Sequence, residues 1–251
     1  MISRRFYLLV FSLFAIASMT VGCSYDNDLG PNELLFASPN QMADLSDTVW
    51  KSLKARETLI TEGESYQRVS DVTTKVVSAA YQDPLEWKVV ILDRNEVVAF
   101  ALPNKQIAIS NGALGYAEND DQLAALIAHM VAHVNYNHPG ERYSQSSLAK
   151  NGFTARGIAR AYDRDRAGVE KILGLEPVEG QRAPYSREHS LAADKFSIRY
   201  MIRAGYDPQE AVAFWAGFSA GPALPSGQIA LHPVDNTRLR RLEQEIELIS
   251  K

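Results

Sequence analysis

Hydrophobic and polar positions change rhythm several times along the 251 residues. Phe6 to Ser18 is almost unbroken apolar sequence behind a positive start at Arg4 and Arg5. Residues 24–45 are polar and broken by glycine and proline, the pattern of a flexible tether. From Ser46 to Tyr81 apolar residues return at helical spacing, most clearly in "VSDVTTKVVSAAY". Three short runs follow, "WKVVILD", "EVVAFAL" and "QIAIS", separated by Asn95 and by Pro103-Asn104. Their Val, Ile and Phe content predicts a small antiparallel sheet. Asn119, with Gln122 three residues on, has a capping-box arrangement. It opens "DQLAALIAHMVAHVNYNH", which is apolar on most of its surface and is therefore expected to be a buried helix.

Residues 139–183 are polar and weakly periodic, and read as an insertion with a helix or two. Ser186 to Arg203 predicts a helix stopped by Gly205. Asp207-Pro208-Gln209-Glu210 combines an N-cap, a proline and an acid at the start of the next one. Asp235 or Asn236 begins a last helix with Leu239, Leu242, Ile246 and Ile249 on one stripe. The pattern is that of an α+β fold, a central buried helix with a small sheet and helices packed around it.

The first residues change the picture of where this fold sits. A positive start, a short apolar run and the small residues of "MTVGC" are the parts of a secretory signal peptide. Cys23 is the only cysteine, so no intramolecular disulfide can form and its presence in an exported chain needs a reason. Gly22 and the run before it resemble the lipobox of bacterial lipoproteins, in which the cysteine is cleaved free and acylated. Two or three acyl chains would anchor it stably. By resemblance to lipoprotein sorting, Ser24 after the cysteine points to the outer membrane. The expected organisation is a signal peptide over 1–22, a lipid-anchored tether over 23–45 and one domain over 46–251. Loss of the leader takes two arginines and no acids, moving the formal charge from −4 to −6. An acidic chain without a Lys/Arg run argues against nucleic acid as a partner.

The candidate chemistry lies in "HMVAH". His129 and His133 are four apart, so a helix puts them on one face, a turn apart. Two neutral imidazoles so placed can hold one zinc ion, with a third protein ligand and an open position for water. In H-E-x-x-H the glutamate after the first histidine takes the proton from that water. Here the position is Met130, and a thioether has no useful proton affinity. The bare pair is also compatible with two packed, hydrogen-bonded histidines.

Several stretches together resemble a known family. "VVAFALPNKQIAISNGAL", "ENDDQLAALIAHMVAHVNYNH", "SREHSLAAD", "RAGYDPQEAVAFW" and "LHPVDNTRLRRL" occur in the order seen in gluzincin zinc metallopeptidases of the HtpX and BepA type. The resemblance spans about Val49 to Leu248. It implies a zincin-like fold with His129 and His133 as zinc ligands and Asp194 orienting the first histidine. It also implies that His232 can approach the metal. The family's third ligand, a glutamate four residues before that aspartate, is Ser190 here, so both working glutamates are replaced. Glu188 and His189 lie nearby but out of phase, and are expected to face elsewhere. Ala99, Phe100, Ala101, Leu102 and Pro103 correspond to the edge strand on which the family lays an extended substrate.

Two functions follow as expectations. One is a degenerate relative with little or no proteolysis, lipid-anchored in the cell envelope, binding extended or unfolded envelope proteins or a partner. The other is a working zinc endopeptidase using Glu188, His189 or His232 as replacement groups.

Overall fold

The structure is a computed structural model that describes residues 37–145, 160, 162–173, 187–220 and 235–251. The signal-peptide and lipidation readings, with Cys23, and His232 lie outside the described residues. The first helix, α1 (Pro39–Arg56), starts earlier than Ser46, the start its periodicity predicts. Ser38 and Gln41 cap its N-terminus reciprocally, with Pro39 at the first helical position. Met42 and Leu45 are fully buried, so part of the stretch read as tether belongs to the core. The reason is visible locally, since a capping box overrides the low apolar content of 39–45.

The remaining elements are β1 (Leu59–Ile60), α2 (Glu64–Ala79), β2 (Lys88–Leu92), β3 (Ala99–Leu102), β4 (Gln106–Ser110), α3 (Asn111–Leu114), α4 (Asp120–Asn135) and α5 (His138–Gln145). They are followed by α6 (Arg166–Leu173), α7 (Arg187–Ala204), α8 (Gln209–Ala220) and α9 (Asn236–Ile249). The four strands form one sheet in the order β1-β2-β4-β3. It is mixed, not wholly antiparallel: β1–β2 and β3–β4 are antiparallel, but β2 and β4 run parallel. The β3–β4 hairpin docks with its second strand inward, which sets β4 alongside β2.

Both faces of the sheet are buried, and period-two alternation divides them. Val89, Ile91, Ala99, Ala101, Ile107 and Ile109 join the main core with residues of α2, α4, α7, α8 and α9. Val90, Leu92, Phe100, Leu102 and Ala108 face a second core built by α1, Tyr143, Tyr162 and Val169. Burial of both faces explains why the strands read as near-continuous apolar runs.

Helix α4 starts at the expected N-cap, with Asn119 accepting from the Gln122 amide at 2.8 Å, but the capping box is not reciprocal, since Gln122 Oε1 accepts from the Glu118 amide instead. Every residue from Gln122 to His133 is buried. Helices α2, α7 and α8 pack around it. Gly205, at φ +82°, ends α7. The sharp approach at α3 requires Gly112, where a Cβ would fall 2.1 Å from the Asn95 carbonyl oxygen. Among the described residues no helix is long and apolar enough to cross a membrane.

Candidate functional site

His129 and His133 project from α4 into the space between that helix and α7. Their Nε2 atoms lie 3.1 Å apart. Two imidazole nitrogens at about 2.0–2.1 Å from one tetrahedral zinc ion would be roughly 3.3 Å apart, so the pair has ligand-like spacing. Asp194 of α7 places Oδ1 2.8 Å from His129 Nδ1. A carboxylate there holds the proton on Nδ1 and leaves Nε2 of the neutral ring bare. Burial lowers the His129 pKa against the opposing pull of Asp194, so the ring is neutral.

That tautomer propagates. A bare His129 Nε2 is an acceptor, so His133 donates to it through Nε2 and keeps a bare Nδ1. His138 Nδ1 lies 2.9 Å from that nitrogen and donates in turn. In this assignment the three rings satisfy one another.

The two positions at which the resemblance implies glutamates carry Met130 and Ser190. Met130 is 3% exposed and belongs to the main apolar core. Ser190 is 1% exposed on α7, a neutral hydroxyl where a carboxylate ligand is expected. Among the described residues no three His, Cys, Asp or Glu side chains are arranged to hold a metal ion. The described donors therefore fit zinc as a pair and not as a complete set.

The structure brings in His138, Glu141 and Arg238, which the sequence reading did not place in the site, and turns inward His189, which was expected to face elsewhere. His138, at the first position of α5, extends the chain of imidazoles. His189 faces inward rather than away: its ring stacks on His138 at 4.6 Å and its Nε2 meets Glu141 Oε2 at 2.8 Å. The α7 start is wrapped closely enough by α4 and α5 that neighbouring phases of the helix, His189 and Ser190, are both buried. Glu188 stays exposed. Burial, followed by the charges of His189 and His129, pushes the His138 pKa down to about 3.

At the other end, Arg238 of α9 forms a two-point pair with Asp194 and lies with Cζ 3.8 Å from the Trp215 ring centroid. Burial alone would raise the Asp194 carboxyl, but the charges and hydrogen bonds of Arg238 and His129 outweigh it and hold the pKa below the carboxylate range. Each buried carboxylate thus has its own cationic or imidazole partner, Asp194 with Arg238 and Glu141 with His189. "TRLRRL" was a visible signal for Arg238. Nothing in spacing alone identifies Glu141.

Residues 99–102 form β3, at one edge of the sheet, and Pro103 falls in the turn after it. The Ser110 amide donates to the Val98 carbonyl, which fixes the alternation of the hairpin. Ala99 and Ala101 therefore direct their N–H and C=O groups away from β4. Both are nonetheless buried, 4% and 5% exposed.

Comparison with known proteins then places the chain. The sequence pattern of Peptidase family M48 matches residues 64–246. Mitochondrial metalloendopeptidase OMA1 of Saccharomyces cerevisiae is 24% identical over 196 residues, 70% of this chain and 54% of the relative. Beta-barrel assembly-enhancing protease of Escherichia coli K12 is 25% identical over 240 residues, 89% of this chain and 49% of the relative. The chain spans about half the length of the curated relatives it matches.

Proposed function

Because the chain belongs to peptidase family M48, we propose that it is a non-hydrolytic member that captures extended or unfolded proteins of the cell envelope, or a partner enzyme. What supports this reading is that Met130 and Ser190 occupy the positions where the resemblance implies working carboxylates, beside the His129–Asp194–Arg238 and His189–Glu141 contacts. Removal of a positioned general base alone typically costs about 10²- to 10⁴-fold. Capture rests on β3, where the outward groups of Ala99 and Ala101 offer main-chain pairing that needs no metal and tolerates many sequences. Since β3 is buried along its length, an incoming strand has to displace what lies on it. The β-barrel assembly named for the Escherichia coli relative and the lipobox-like Cys23 support a lipid-anchored location at the periplasmic face of the outer membrane, the membrane contact being the acylated cysteine.

A second reading is an active zinc metalloendopeptidase of envelope quality control. It is favoured by one observation, the buried His189–Glu141 pair that adjoins the histidines.

The test is capture of reduced, carboxymethylated lactalbumin by the full-length chain, with and without chelator. Capture that survives chelation and falls in Ala101→Pro supports the reading. Proline there removes an outward N–H without breaking the pairing to β4. Hydrolysis of the lactalbumin that stops with chelator would replace it with the second reading.

A further inference from the structure

The sheet has a second interrupted edge. Strand β1 ends after two residues, Leu59 paired with Leu92 and Ile60 with Ile91. The chain then leaves the sheet, and Gly63 at φ +91° turns it into α2. Strand β2 reaches three residues beyond that pairing, to Lys88, with only β4 beside it there. Asp93 donates to the Thr58 carbonyl and Lys88 to the Lys105 carbonyl, both at 3.0 Å. Odd-numbered residues of β2 therefore turn their main-chain groups toward β1, and even-numbered ones toward β4. Val89 points its N–H and C=O into the gap, and no described residue pairs with them. It is 8% exposed. Buried main-chain groups without partners are costly, so the gap is a place where a partner stabilises the fold.

A cavity of about 310 Å³ occupies the gap, walled by Trp50, Tyr66 and Trp87. Trp87 is 7% exposed, and its buried indole N–H has no partner among the described residues. Lys54 and Lys88 line the same cavity. Neither is paired with a carboxylate among the described residues. The site thus offers two unused donors, one unused acceptor, aromatic walls and two cationic amines.

We propose that this cavity binds the C-terminal end of an extended polypeptide, continuing the sheet where β1 stops. The incoming main chain pairs with Val89, the last apolar side chain lies against the indoles, and the terminal carboxylate meets Lys54 and Lys88. The volume is at the low end for ligand pockets and holds roughly two or three residues at about 3.3 Å each, which suits a chain end rather than a full strand. The cationic amines match the charge that only a chain end carries on its main chain. In the strand order this edge is the opposite one from β3, so the site is independent of the reading given above for that strand.

The test is a titration of N-acetyl-Thr-Val-Phe, with its carboxylate free, into the ¹⁵N-labelled full-length protein. Saturable shifts of the Val89 amide and the Trp87 indole N–H are expected. Amidating the peptide, or changing Lys54→Gln together with Lys88→Gln, should weaken binding by about tenfold. Unmoved resonances at millimolar peptide, or equal affinity for acid and amide, would overturn the proposal. So would 3-phenylpropionate binding as tightly as the peptide, since it cannot pair with the Val89 main chain.

Discussion

Arg238 and Asp194 form a two-point ion pair inside the protein, Nε to Oδ2 at 2.6 Å and Nη2 to Oδ1 at 2.8 Å, with each residue 2% exposed. It joins α9 to α7 and fixes the carboxylate that in turn holds His129. Breaking a buried pair by removing one partner leaves an uncompensated charge and costs about 3–5 kcal/mol. Arg238→Met should therefore lower the urea-unfolding stability of the full-length chain by that amount. A loss below about 1 kcal/mol, the range of an exposed pair, would show that the pair is not structural.

Acid should destabilise the fold through His138. Its folded pKa, about 3, lies below the ordinary 6.5, so the unfolded chain binds more protons between those values. Stability is full above pH 6.5 and falls as the pH drops through that window, by roughly 1.4 kcal/mol per pH unit. His129 adds in the same direction, its pKa being lowered chiefly by burial. Urea midpoints measured from pH 7 to pH 4 should fall, and His138→Gln should flatten the slope. An unchanged slope in that variant would place the acid sensitivity elsewhere.

The parts of the fold legible in the sequence were those with local signals. Asn119 and Gln122, Gly205, and Asp235 mark helix ends by capping chemistry or backbone freedom, and the structure keeps each of them. Met130 and Ser190 lie buried on α4 and α7. What was not legible depends on neighbours distant in sequence. Strand order cannot be read from alternation, so the parallel β2–β4 pair was missed. The inward turn of His189 depends on α5 closing over the start of α7, and the role of Arg238 depends on Trp215 and Asp194 meeting it from two other helices.

Restoring the base alone should not create a peptidase. Met130→Glu puts a carboxylate into an apolar, 3%-exposed position, and should destabilise the chain by about 1–3 kcal/mol. Met130→Glu with Ser190→Glu supplies carboxylates at both positions where the resemblance implies them, and this double variant should gain bound zinc and chelator-sensitive cleavage of lactalbumin. Cleavage by the single variant would mean that the third ligand is already present.

The most direct measurement is the zinc content of the full-length chain after zinc loading and desalting, with His129→Ala alongside. A chain whose two histidines lack a third ligand should emerge with no more zinc than the variant. About one zinc per chain, lost on His129→Ala, would contradict the non-hydrolytic reading and show that a complete metal site exists.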